Sequence, residues 1–82
     1  MPYVELVWDL DDDPDGNTSH IAEHGQTRDD VAHAFSTAYK ETHSNSTGRE
    51  IVFGFTEDRR RIAVVYEVID DVLIYPVTAY EV

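Results

Sequence analysis

Between Val31 and Tyr39 the apolar residues Val31, Ala34, Phe35, Ala38 and Tyr39 fall at i, i+3, i+4, i+7 and i+8, and from Ile51 onward the apolar period changes to two. This change of period constrains the chain more than any other feature. A helix with a single dry stripe must bury it against something, and alternating strands on short turns offer a flat apolar face. The chain has only 82 residues and no cysteine, so one domain spanning 1–82 must be held by ordinary packing. A chain this short buries roughly 60% of the surface its unfolded form exposes, for a stability of about 4–12 kcal/mol.

Val4, Leu6 and Trp8 alternate with Glu5 and Asp9, with Val7 the one apolar residue on the other face, and predict a half-buried first strand ending at Asp9. Leu10 to Gly16, with four Asp, a Pro and a Gly, reads as a loop. Asn17 is placed to cap a short helix through His24, with Gly25 as its left-handed C-terminal residue. Thr27 and Asp30 then spell a capping-box start for the striped helix. Lys40 to Gly48 is polar and turn-rich and reads as a mobile connection. Ile51, Phe53 and Phe55 alternate, Glu57-Asp58 turns the chain, and Ile62, Val64, Tyr66 and Val68 alternate again before a turn at Asp70-Asp71. Val72 to Tyr80 closes an antiparallel meander, with Pro76 at an edge or bulge because it lacks an amide. The expected fold is α+β in two layers, order β-α-α-β-β-β: a four-stranded antiparallel sheet with both helices on one face.

Charge narrows the function. Seventeen acids face six Lys and Arg, a formal net charge of −11. DNA binding is not expected from such a chain, because a phosphate binder wants a broad basic face. RNA contact requires the few cations to be clustered. No window approaches the ~18 apolar residues of a membrane span, and the first residues carry no basic, apolar leader, so no membrane partner is expected and the location reads as cytoplasmic.

Several words, taken in order, resemble a known family: Trp8-Asp9, Asn17, His24-Gly25, a helix with Ala34-Phe35, Gly54-Phe55-Thr56 before Arg60, Val64-Val65-Tyr66, and Val77-Thr78-Ala79. Together they are similar to the BrnT toxins and span nearly the whole chain. The resemblance implies a RelE/ParE-like fold, a ribonuclease that halts translation on RNA or the ribosome, and an antitoxin protein as partner. It places the catalytic pair at His24 and Arg60. The chain departs from the family pattern at Glu23 and Tyr80, where cations are usual, and at Arg59, where a turn glycine is usual.

Arg59-Arg60-Arg61 holds three of the six cations. Strand alternation sends Arg60 to the face opposite Arg59 and Arg61. An arginine fork suits a scissile phosphate, and Arg60 is the leading candidate with Arg61 and Arg59 as further substrate contacts. The same residues can instead pair with acids such as Glu57, Asp58 or Glu67. His24 can move a proton near neutral pH or interact with the dipole of a helix end. Tyr80 can donate a hydrogen bond to a phosphate oxygen. Trp8, Phe53 and Phe55 can stack on bases or serve as core, and a small domain favours core.

No cofactor is implied and no metal is assigned. His20, Glu23 and His24 spell H-x-x-E-H but lack a third ligand. Asp11-x-Asp13-x-Asp15-Gly16 opens like a calcium loop, yet Ala22 stands where its bidentate Glu belongs. Those carboxylates also suit a basic partner. The alternative to a nuclease is therefore a catalytically degenerate, acidic module that works by protein contact.

Overall fold

A computed structural model describes residues 5–82 of the chain. The striped helix, α2, spans Arg28–Ser36 and begins with a full capping box. Thr27 Oγ1 accepts from the Asp30 amide at 3.1 Å, and the Asp30 carboxylate accepts from the Thr27 amide at 3.0 Å. Val31, Ala34 and Phe35 are buried. The helix stops short of the stripe's end because the Thr37 hydroxyl donates to the His33 carbonyl at 2.8 Å and accepts the Phe55 amide at 2.9 Å. Ala38 still packs on the core, whereas Tyr39 is 51% exposed.

The remaining elements are β1 (Glu5–Leu6), α1 (Asn17–Glu23), β2 (Lys40–His43), β3 (Glu50–Phe55), β4 (Arg61–Asp70) and β5 (Leu73–Glu81). The architecture is α+β, but the sheet has five strands in the order β1-β5-β4-β3-β2 and is mixed. This corrects the expected four-stranded antiparallel sheet in two places. The first strand pairs parallel with β5, Glu5 opposite Leu73 and Leu6 opposite Ile74. The segment expected as a mobile connection contributes β2, antiparallel to β3 from Lys40 opposite Phe53 to His43 opposite Glu50. Val4, assigned to the first strand from sequence, lies outside the described residues. Within them β1 has only two residues, and Trp8 follows it as irregular chain. Pro76 sits at a register shift opposite Tyr66, where β4 and β5 slip past one another.

Alternation across the paired strands sorts the sheet into two faces. Glu41, Val52, Val64 and Ala79 form one row, and Gly54, Ile62 and Glu81 the next. Both helices cover this side, since Ile21 of α1 and Val31, Ala34 and Phe35 of α2 share one core with Val52, Ile62, Val64, Tyr66, Ile74 and Ala79. Each large aliphatic side chain buried there contributes roughly 1.5–3 kcal/mol. The opposite face carries no helix. On it lie the rows Lys40, Phe53, Ala63, Tyr80 and Thr42, Ile51, Val65, Thr78, with Phe55 beside Arg61. Phe53 and Phe55 are thus half-buried on the helix-free face, not in the helix-covered core. Tyr39 packs against them at ring distances of 6.4 and 5.3 Å, and the Lys40 ammonium lies 5.5 Å from the Phe53 ring. Among the described residues no helix is long and apolar enough to cross a membrane.

Candidate functional site

The turn between β3 and β4 is built by one buried hydroxyl. Thr56, fully buried, accepts the Arg60 amide on Oγ1 at 3.0 Å and donates to the Asp58 carboxylate. Backbone bonds from Thr56 N–H to the Arg60 carbonyl (2.9 Å) and from Arg59 N–H to the Thr56 carbonyl (3.0 Å) close the turn. The hydrogen bond from Thr56, then that from Arg60, holds the Asp58 carboxyl below its ordinary value. Arg59 pays for this tightness with a φ of +68°, the left-handed region in which a β-carbon is strained. Arg59→Gly is therefore expected to stabilise the protein by about 0.5–1 kcal/mol, after allowing for the extra unfolded-state freedom of glycine. A melting temperature that is unchanged or lower in this variant contradicts the assignment.

Arg60 leaves the turn toward the helices. Its Nε donates to Asp58 at 2.9 Å, Nη2 lies 3.4 Å from Asp30 at the start of α2, Nη1 lies 3.8 Å from Glu81, and Nη1 also reaches Gln26 Oε1 at 3.4 Å. The hydrogen bond to Asp58, with the charges of Asp30 and Glu81, raises its pKa further. Three carboxylates around one guanidinium leave little positive potential for a phosphate. Arg60 instead ties the 56–60 turn, the N-terminus of α2, the 24–26 loop and the end of β5 together.

Arg61 takes the other direction. It lies beside Phe55 on the helix-free face, two residues from Ala63, whose cross-strand neighbour is Tyr80. Among the described residues Arg61 makes no ion pair, nor do Arg59 and Lys40. Tyr80 is 38% exposed, and its ring lies 6.5 Å from that of His24, which caps the C-terminal end of α1. This is the stretch of β5 beyond the reach of β1. His24 is bound to the Arg60 corner only through its backbone, since Gln26 Nε2 donates to the His24 carbonyl at 3.2 Å. Trp8 packs partly buried against the core, with the Arg28 guanidinium 5.6 Å from its ring centre, so it does not join this surface.

A second polar cluster lies at the start of α1, where sequence alone assigns Asn17 as a cap. The cap position is Gly16, and Asn17 is the first helical residue, buried to 1% exposure. Its amide N–H donates to Asp9 Oδ2 at 3.0 Å. Its side chain accepts the Asp9 amide at 2.9 Å and donates to the carbonyls of Val7 (2.9 Å) and Pro76 (2.8 Å). Tyr75 also donates to Asp9 Oδ2, at 2.5 Å. That bond lowers the Asp9 pKa and, with burial and the Asp9 charge, pushes the Tyr75 hydroxyl up to about 12. A raised tyrosine pKa stabilises the fold while the group is neutral. The contribution is complete below pH 10 and is lost as pH rises toward 12. The Asp9 contribution is complete above about 3.8 and is lost on acidification below it. Urea midpoints should fall more steeply between pH 10 and 12 for the parent than for Tyr75→Phe; parallel curves contradict the pairing.

The acidic loop is organised from within. Asp13 accepts the Asp15 amide at 3.0 Å, and Asp11 pairs with Arg28. Among the described residues no three His, Asp or Glu side chains are grouped to hold a metal ion. Sequence reasoning missed the roles of Gln26, Asp30 and Glu81 around Arg60. Only the capping-box position of Asp30 carried any signal. The chain matches no protein-family model, and no curated protein or solved structure matches it.

Proposed function

We propose that the protein is a metal-independent endoribonuclease of the BrnT toxin type, with a RelE/ParE-like fold, acting in the cytoplasm to inhibit translation and neutralised by an antitoxin. The observation that supports this most directly is the placement of Arg61, unencumbered by carboxylates, on the same helix-free face as Tyr80, with the His24 ring beside Tyr80. In this reading Arg61, rather than Arg60, forks onto the non-bridging oxygens of the scissile phosphate. Tyr80 donates a hydrogen bond to the same group. His24 takes the proton of the 2′-hydroxyl as its oxygen bonds to phosphorus, the P–O bond to the 5′-oxygen breaks to leave a 2′,3′-cyclic phosphate, and the leaving 5′-oxygen takes a proton from water. Arg59 and Lys40 add positive charge at the rim.

Purified protein should cleave RNA or stop synthesis in a translation extract. Arg61→Ala should reduce the rate about 100-fold, the loss usual for a charge-stabilising donor, and His24→Ala should do likewise. Arg60→Ala is expected to act through stability instead. A wild-type protein without cleavage at high concentration, or full activity in Arg61→Ala, rules the proposal out. A second reading, a catalytically degenerate protein-binding module, is favoured by the three carboxylates around Arg60 and the charge of −11. It requires that Arg61→Ala leave the phenotype intact and that a stable complex with a basic partner be recovered.

A further inference from the structure

The rows of the helix-free face depart from the acidity of the chain. Lys40-Phe53-Ala63-Tyr80 and Thr42-Ile51-Val65-Thr78, with Phe55 beside Arg61, hold two cations and no acid, although the chain has seventeen acids. Where the face ends, Glu67 is held by Arg49 at 2.8 Å. Three rings form one patch on this surface. Tyr39 is 51% exposed and lies 5.3 Å from Phe55 and 6.4 Å from Phe53, both half-buried, with ring planes tilted by 36° and 43°. The Lys40 ammonium stands 5.5 Å from the Phe53 ring, and Arg61 is the cross-strand neighbour of Phe55. The patch therefore has a cation on either side.

We infer that this patch is a platform for unpaired RNA: one base stacks on Tyr39, its neighbour lies against Phe55, and Lys40 and Arg61 hold the flanking phosphates. This substrate class, single-stranded rather than duplex RNA, rests on the ribonuclease reading. RNA offers a flat π face and a phosphate at every nucleotide, which matches rings set between cations. In a base-stacked duplex the nucleotides of each strand follow one another every ~3.4 Å, whereas these rings stand 5.3 and 6.4 Å apart. A strand that uses the patch must splay its bases, and paired bases are not free to do so. A second copy of the chain is the wrong occupant. A two-fold contact sets a face against itself, and here it would bring Lys40 and Arg61 against their own like charges with no acid between them.

The test is a ¹⁵N NMR titration at low ionic strength with three probes: a 2′-O-methyl oligoadenylate, which has no free 2′-hydroxyl and is not cut, the same strand annealed to its complement, and a peptide of alternating Glu and Tyr. The single strand should shift the amides of residues 39–40, 53–55 and 61 and bind at least about tenfold more tightly than the duplex. Tyr39→Leu, which keeps apolar cover over Phe53 and Phe55 but has no π face, should weaken it about tenfold, and Tyr39→Phe should not. Lys40→Gln should flatten the slope of log K against log salt by about 0.7, the worth of one phosphate on a single strand. Because the probe is not cut, these losses in a protein that fails to cleave ordinary RNA would remove the ribonuclease reading and keep the platform. Equal affinity for the duplex, unchanged affinity in Tyr39→Leu, or tighter binding of the peptide overturns the assignment, the last giving the face to an acidic protein.

Discussion

Asn17→Ala is expected to unfold a large part of the population at 37 °C. The substitution removes a side chain whose three hydrogen bonds join the chain just after β1, at Val7 and Asp9, to β5 at Pro76. It strands the carbonyls of Val7 and Pro76 and the amide of Asp9. Each such group costs about 1–3 kcal/mol when left unpaired away from water. Allowing for partial access of water, the sum is about 3–5 kcal/mol, comparable with the whole stability of a domain this size. Asn17→Asp should be no better, because a carboxylate oxygen would replace the amide donor between two carbonyls. Chemical denaturation of both variants measures the effect, and a loss under 1 kcal/mol would show that the staple is dispensable.

Gly54→Ala should be similarly damaging for a different reason. A β-carbon built at Gly54 falls 2.0 Å from the Ala34 carbonyl oxygen and 2.8 Å from its α-carbon. The obstacle is helix backbone, which cannot swing aside as a side chain can. The helix must lift from the sheet and open contacts of Val31, Ala34 and Phe35 with β3 and β4. Overpacking typically costs 1–3 kcal/mol, and displacement of a whole helix places this case at about 3 kcal/mol or more. At 4–8 °C per kcal/mol, that is a fall in Tm of at least about 12 °C. A variant melting within a few degrees of the parent would mean that α2 is free to re-seat.

The periodic parts of the chain disclosed their structure. Val31, Ala34 and Phe35, the Thr27–Asp30 box and the alternating segments of β3 and β4 needed only local rules. β2 did not announce itself, because Lys40-Glu41-Thr42-His43 is an edge strand with no dry face and so no apolar alternation. The pairing of β1 with β5 joins residues 5 and 73, and two residues of strand carry no period that could forecast it. At the candidate site, the expected alternation over Arg59, Arg60 and Arg61 presumed extended backbone, whereas β4 begins only at Arg61 and Arg59 is left-handed at φ +68°. The ring of acids around Arg60 was invisible, since Asp30, Asp58 and Glu81 come from three separate elements. The words Gly-Phe-Thr and Arg-Arg carry structural duties in this fold: close helix approach at Gly54, turn closure at Thr56 and a multi-element tie at Arg60.

The parallel contact between β1 and β5 has a consequence for biosynthesis. Residues 5 and 6 reach their hydrogen-bonding partners only when residues 73 and 74 have been made, so this segment emerges long before its place in the sheet exists. Residues 28–66 can associate while translation continues. Asn17 cannot complete its bonds until Pro76 has been made, and a nascent chain stalled before Leu73 should therefore be protease-sensitive around residues 5–9 as well as along the unpaired edge of β4.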